Sequence, residues 1–264
     1  MVNQQVSDIL YPILIVVGVF FALLSLEKFF KVCKLKKGTS TDYELCLTIS
    51  VAFGIISAIL FQNLYNLIQN PSSFKFSWGM TFYGGLIGGV ACFFLTYLIY
   101  LKKKYPTSLP YALTIAGGAI PLAHAFGRVG CFFAGCCYGK AVDSSSPFYW
   151  MGIKFLTTDT KVIPTNLIEA IFLFILAGVL LFVAFKKKTR LTFPLYFMIY
   201  GVFRFSLEFL RGDYRGSFIP NLTPSQFWAI LLFVLGLIHL IYLIVKKKIY
   251  LNVKEENIVE EVKA

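Results

Sequence analysis

Charge is what this sequence has least of: only 14% of its 264 residues are Asp, Glu, Lys or Arg. A soluble domain carries roughly 25%. Acids are scarcer still, 13 against 25 bases, and histidine occurs only twice. Long polar stretches are missing too, the longest running over about 133–164, and there is no internal repeat or second soluble domain. With 58% hydrophobic residues and a mean hydropathy of +0.73, these absences exclude a soluble enzyme, a disordered chain and a disulfide-stapled secreted domain.

What the chain has instead is seven apolar runs, at about 9–27, 44–68, 80–101, 111–132, 165–185, 191–210 and 224–245. Each is near the roughly 20 residues that cross a bilayer as a helix. The pattern predicts an all-α polytopic membrane protein with seven transmembrane helices. The first run has no basic region before it and a lysine cluster after it, so it reads as a retained span. The bases are unevenly spread. Seventeen of the 25 follow spans one, three, five and seven, in clusters such as Lys102 to Lys104 and Lys246 to Lys248. Six, namely Lys75, Lys140, Lys154, Lys161, Arg211 and Arg215, fall on the other side, and Arg128 and Arg204 lie inside spans. The positive-inside rule then predicts the amino terminus outside and the carboxyl terminus in the cytoplasm. The net charge of +12 thus orients the protein in a membrane, and no nucleic-acid partner is expected. One seven-helix domain is expected over 1–250, with an outer-side arm at about 133–164, followed by a cytoplasmic tail over 251–264.

Polar residues inside spans carry the functional signal, because charge at membrane depth is costly. In span six, Tyr200, Arg204, Glu208 and Arg211 recur at offsets of four, four and three, so they share one helical face. Arg204 and Glu208 are spaced to pair. Such a pair alone would be structural glue between helices, but Arg128 adds a second intramembrane guanidinium near the end of span four. Two arginines at similar depth repel unless an anion or Glu208 lies between them. A guanidinium grips phosphate bidentately, and lipid phosphate is the anion at hand. Arg128 and Arg204 are therefore read as a phosphate clamp, with Tyr200 and Arg211 beside it.

Glycine gathers near the same places. Gly79, Gly84, Gly85, Gly88 and Gly89 open span three, and Gly127, Gly130, Gly135 and Gly139 line the end of span four. Packing through small residues accounts for Gly85, Gly88 and Gly89. It leaves open why tyrosine and arginine sit among these glycines, so Gly84, Gly85, Gly127 and Gly130 are also candidates for close substrate approach. Three cysteines cluster at the end of span four. A bond between adjacent Cys136 and Cys137 is disfavoured by their short Cα separation, so Cys131 with Cys136 or Cys137 is the expected bridge. A metal site with His124 and a nucleophilic thiol are the alternatives.

Four ordered elements resemble one family, the prolipoprotein diacylglyceryl transferases. Its glycine-pair stretch is similar to Met80-Thr81-Phe82-Tyr83-Gly84-Gly85-Leu86-Ile87-Gly88. Its signature Gly-Arg-x-Gly-Asn-Phe-x-Asn-Gly-Glu is similar to Gly127-Arg128-Val129-Gly130-Cys131-Phe132-Phe133-Ala134-Gly135-Cys136. Its Pro-x-Gln-Leu-x-Glu element resembles Pro164-Thr165-Asn166-Leu167-Ile168-Glu169, and its sixth-span motif resembles Tyr200 to Arg211. The resemblance covers nearly the whole chain. It implies a multi-pass enzyme of the bacterial plasma membrane, with its active face toward the outer leaflet and no cofactor or metal. Such an enzyme moves the diacylglyceryl group of phosphatidylglycerol onto the thiol of a lipobox cysteine in a preprolipoprotein, releasing glycerol phosphate. Its other partners are membrane lipids.

Arg128, Arg204, Tyr200 and Glu208 keep the family's residues. Tyr83 stands where the family has a histidine before the glycine pair, and Cys131, Ala134 and Cys136 replace the signature Asn, Asn and Glu. The implied catalytic set is Tyr83, Arg128, Arg204, Glu208 and His124, the last lying one helical turn before Arg128. The implied substrate-binding set is Arg128, Arg204, Tyr200, Arg211, Gly84, Gly85, Gly127, Gly130, Cys131 and Cys136. A relative that passes the group to a different acceptor and a non-catalytic lipid-binding protein are the alternatives. The retained arginines and Glu208 argue against the second.

Overall fold

The computed structural model describes residues 4–251 except 70, 80 and 213–221, with the side chains of 4–8, 69, 73, 82 and 83 also outside the described set. Arg215 and the tail after residue 251 therefore lie outside the described residues. Among the described residues the chain is helical, with strand pairing limited to isolated bridges. The long helices are α1 (Gln4–Val32), α2 (Thr39–Gln69), α3 (Phe82–Thr96), α4 (Leu109–Phe133), α5 (Thr165–Lys187), α6 (Thr192–Glu208) and α7 (Pro224–Val245). Helix α3 runs on through a π-helical segment, Tyr97–Leu101, to Lys104. Six helices are long and apolar enough to cross a membrane. The exception is α6, with 17 residues. At about 1.5 Å per residue it reaches roughly 26 Å, a little short of a ~30 Å hydrocarbon core. An all-α polytopic membrane protein is what these helices make. Large apolar side chains such as Val16, Leu60, Ile175, Phe182 and Ile238 are exposed, as a lipid-facing surface requires.

Local chemistry sets the helix ends. Pro106 follows the stop after Lys104, and the residue before a proline is turned away from helical geometry. Thr223 caps α7 in a reciprocal capping box with Gln226, and Pro224 occupies the first turn, where its missing N–H costs nothing.

The chain divides into two compact units, 33–109 and the remainder. In the first, α2 and α3 run antiparallel. Gly54, Ser57 and Ala58 of α2 face Gly84, Gly85, Gly88 and Gly89 of α3 at backbone-contact range. Ser57 Oγ donates to the Gly84 carbonyl at 2.8 Å. Small residues are what permit this approach. The loop after α2 is pinned by Asn63, which donates to the Ser77 carbonyl and accepts from its N–H, both at 2.8 Å. At the other end, Asp42 takes hydrogen bonds from Tyr105 at 2.8 Å and Tyr100 at 3.2 Å and pairs with Lys104.

The second unit holds α1, α4, α5, α6 and α7. Helix α4 lies against α6 where a Cβ on Gly117 would meet the Thr192 backbone, and against α5 where one on Gly118 would meet Leu181. Its core is Ala125, Leu173, Leu176, Leu180, Tyr196 and Tyr200. Helix α1 crosses α4 at Gly18 and at Gly130, which lies under the Tyr11 ring. Residues 134–164 form an arm closed on itself by Gly139 N–H to Ile163 and the reciprocal Ile153–Val162 pair, and tied to the end of α6 by Lys140 N–H to Leu210. These bonds bring the end of α4, the start of α5 and the end of α6 together.

Candidate active site

That junction is where the intramembrane charges meet. Glu169, in the first turns of α5, is 1% exposed and is approached by three side chains. Arg128 Nε lies 3.1 Å from its Oε2, Tyr200 donates to its Oε1 at 2.7 Å, and His124 Nε2 sits 3.8 Å from the same oxygen. Burying a carboxylate with so many partners is tolerable only because its charge is compensated and its lone pairs are filled. Arg128 Nε also donates to His124 Nε2 at 3.2 Å, as their four-residue spacing predicts. That bond fixes His124 as the tautomer with its proton on Nδ1 and engages the lone pair a general base would use.

The second cluster belongs to α6. Arg204 pairs with Glu208 at 2.7 Å along the predicted helical face, and Arg211 reaches the same carboxylate at 3.8 Å. Arg204 Nη2 donates to Ser225 Oγ at 2.9 Å, at the amino end of α7. Its Nη1 is buried and has no hydrogen-bond partner among the described residues. A buried, permanently charged donor without a partner is rare in a folded protein. Each arginine has its own counter-ion, so Glu208 does not lie between Arg128 and Arg204: Glu169 serves Arg128. Arg204 is nevertheless within electrostatic reach of both Glu169 and His124, so the two clusters form one site.

The arm supplies the third side. Thr165 Oγ1 and Arg211 Nη1 donate to the Cys137 carbonyl at 3.0 and 3.4 Å, and Asn166 Nδ2 donates to that of Cys136 at 2.8 Å. The expected bridge from Cys131 to Cys136 or Cys137 is not formed, and none of the six cysteines is in a disulfide. The Cys136 thiol donates to the Cys131 carbonyl, 3.6 Å away. Hydrogen bonding with Cys131 and Cys137, and then burial, push the Cys136 thiol well above its usual range. A thiol held neutral is a poor nucleophile, which counts against the nucleophilic-thiol alternative.

The glycines divide. A Cβ at Gly127 would meet only open space beside Arg128, whereas at Gly130 it would meet the Tyr11 ring. At Gly84 and Gly85 it would meet Phe61 and Ala58 of α2, so the close approach seen at these two is between helices. Tyr83 begins α3 in the other compact unit, and its side chain lies outside the described residues. Helices α5, α6 and α7 line an open apolar groove of about 520 Å³ with Phe172, Met198, Val202, Phe203 and Phe233, among others, and Phe203 is the chain neighbour of Arg204. Glu169, Asn166 and Ser225 were not singled out by sequence reasoning. For Glu169 the signal was present: an acid near the start of an apolar run is an intramembrane charge by the rule applied to Arg128.

Fold and site together define a polytopic membrane protein with a largely buried two-arginine centre and an apolar groove. Residues 5–242 match the family model described as prolipoprotein diacylglyceryl transferase, and the chain belongs to that family. It is 35% identical over 236 residues to the phosphatidylglycerol–prolipoprotein diacylglyceryl transferase of Clostridium tetani, covering 86% of this chain and 90% of the relative. The second such transferase of Clostridium perfringens is 34% identical over 215 residues, covering 77% and 82%. That of Dehalococcoides mccartyi is 30% identical over 219 residues, covering 79% and 81%.

Proposed function

We propose that this protein transfers the diacylglyceryl group of phosphatidylglycerol to the lipobox cysteine thiol of a preprolipoprotein, at the outer leaflet of a bacterial plasma membrane. One observation carries the reading beyond family membership: next to the amino end of α7, Arg204 Nη1 is buried and has no partner among the described residues. A helix amino terminus and a guanidinium are both anion seekers. Arg128 makes its contacts to Glu169 and His124 through Nε.

In this account the lipid phosphate is gripped by Arg128 and Arg204. Glu169 and Glu208 hold the two guanidiniums in place, Tyr200 and Arg211 steady the carboxylates, and the apolar groove takes an acyl chain. The acceptor thiol loses its proton, its sulfur attacks the glyceryl methylene carbon, and the carbon–oxygen bond breaks with both electrons leaving on the phosphate. A thioether and glycerol phosphate result. Charge growing on the departing phosphate is what the arginines stabilise more in the transition state than before it. Tyr83 is the proposed proton acceptor, because the lone pair of His124 is engaged by Arg128. Tyr83→Phe is expected to slow transfer more than His124→Ala, in rates measured with a defined lipid and a lipobox peptide.

The test of the function is complementation. In cells depleted of their own transferase, expression of this chain restores lipidation of a reporter lipoprotein. Absence of lipidation with normal membrane insertion would overturn the reading. Consumption of phosphatidylglycerol without lipidation would move the chain to the alternative of a different acceptor.

A further inference from the structure

The three thiols at the end of α4 have no part in the phosphate clamp, yet they are brought together deliberately. Gly135 and Cys137 both adopt positive φ, +60° and +59°, and the second is a conformation that side-chain-bearing residues seldom take. These turns fold Cys136 and Cys137 back over Cys131, with the Cys136 N–H bonded to the Cys131 carbonyl at 3.1 Å. The curl is held from outside. Thr157 Oγ1 donates to the Gly135 carbonyl at 2.6 Å, Asn166 binds that of Cys136, and Thr165 and Arg211 bind that of Cys137. The three Sγ atoms then lie within 4.8 Å of one another.

We propose that Cys131, Cys136 and Cys137 form a three-thiolate site for one thiophilic divalent cation, Zn²⁺ first among them. Zinc–sulfur bonds of about 2.3 Å in a tetrahedron place sulfurs roughly 3.8 Å apart. The observed separations therefore need to close by about 1 Å at most, which side-chain rotation supplies. Soft thiolates select zinc-like ions over Mg²⁺ or Ca²⁺, which want oxygen ligands. On binding, three S–H bonds are exchanged for three metal–sulfur bonds and three protons go to solvent. The resulting site carries one net negative charge, within electrostatic reach of Arg128. The curl's outer hydrogen bonds act as the supporting shell that metal sites need to fix their ligands.

Among the described residues no fourth His, Cys, Asp or Glu joins the group. Cys136 and Cys137 are only half-buried, so the fourth position is open to an outside ligand. Open fourth positions belong to reactive zinc sites rather than to purely structural ones. The ligand class that suits it is another thiol, and, on the proposed function, that thiol is the acceptor cysteine.

The test uses the full-length protein in lipid nanodiscs, purified under reducing conditions. Elemental analysis should find one Zn²⁺ per chain. Exchange for Co²⁺ should give an intense thiolate-to-cobalt charge-transfer band. Cys131→Ser, Cys136→Ser and Cys137→Ser should each lose the metal and the band, whereas Cys33→Ser and Cys92→Ser should keep both. A lipobox peptide should shift the cobalt band, and the same peptide with serine for cysteine should not. Metal-free reduced protein that takes up neither ion, a Cys131–Cys136 disulfide in the purified protein, or metal retained in all three serine variants would overturn the site. Transfer is assayed in parallel. Wild-type transfer without bound metal refutes the metal site and leaves the proposed function standing, and bound metal without transfer does the reverse.

Discussion

The α2–α3 unit and the five-helix unit solve the same problem, polar groups at membrane depth, with different chemistry. In the α2–α3 unit the buried polar residues are Thr39, Ser50, Ser57, Asn63 and Ser108, all neutral, and its ion pair is kept to the end where Asp42 meets Lys104. Its helices are joined by backbone approach over glycine and by hydroxyl-to-carbonyl bonds such as Ser57 to Gly84. In the five-helix unit Glu169, Arg204, Glu208 and Arg211 are buried, with Arg128 and His124 partly buried beside them. Neutral hydrogen bonds suffice to hold two helices together. Buried charge exceeds what packing needs, and replacing a buried ion pair by apolar side chains is often neutral or stabilising. On the proposed function, the excess marks the unit that handles a charged substrate.

The comparison breaks most visibly at Glu169. Glu169→Gln strands the Arg128 charge, and removing one partner of a buried pair costs about 3–5 kcal/mol. Thermal unfolding in nanodiscs should fall accordingly, with transfer lost. A midpoint within a degree or two of wild type would mean that Arg128 has another counter-ion. Next in size is Tyr200→Phe, which deletes a hydrogen bond to a charged acceptor worth roughly 1.5–3 kcal/mol. Its unfolding midpoint should drop by less than that of Glu169→Gln, and the two changes combined should be less than additive because they share one partner. Strict additivity would separate Tyr200 from the cluster. The smallest effect is expected in the other unit. A Cβ at Gly88 would collide with Ser57, so Gly88→Ala should cost about 1–3 kcal/mol of overpacking. Transfer by the surviving folded fraction should stay within severalfold of wild type, whereas loss of transfer out of proportion to folded protein would give α3 a direct part in the site.

Much of this arrangement was legible along the chain, and the physics says why. A bilayer-spanning helix satisfies its backbone locally and must be apolar for about 20 residues, so length and hydropathy suffice to place it. The expected runs at 44–68 and 165–185 correspond to Thr39–Gln69 and Thr165–Lys187. The expected run at 191–210 became the shorter Thr192–Glu208. Contacts between residues three or four apart were equally readable, as in Arg204 with Glu208 and His124 with Arg128. What the chain hid were partnerships set by tertiary packing. Nothing in the spacing of Glu169 and Arg128, on different helices, tells one from Glu208 as the counter-ion. The three thiols looked like a disulfide because bridging geometry depends on where a turn at Gly135 and Cys137 sends each sulfur. Gly84 and Gly85 were candidates for substrate approach, and a Cβ at either would meet a side chain of α2.

The central claim is that two guanidiniums hold the lipid phosphate by their planar, two-pronged geometry. The most direct measurement is the transfer rate of Arg204→Lys in nanodiscs containing phosphatidylglycerol, with a lipobox peptide as acceptor and released glycerol phosphate as readout. Lysine keeps the charge and the pairing with Glu208 but offers a single point of contact. The account predicts that transfer falls below detection while membrane insertion and the unfolding midpoint stay near those of the wild type. Near-normal release of glycerol phosphate by that variant would contradict it, leaving a diffuse positive field, and not a clamp, as the source of catalysis.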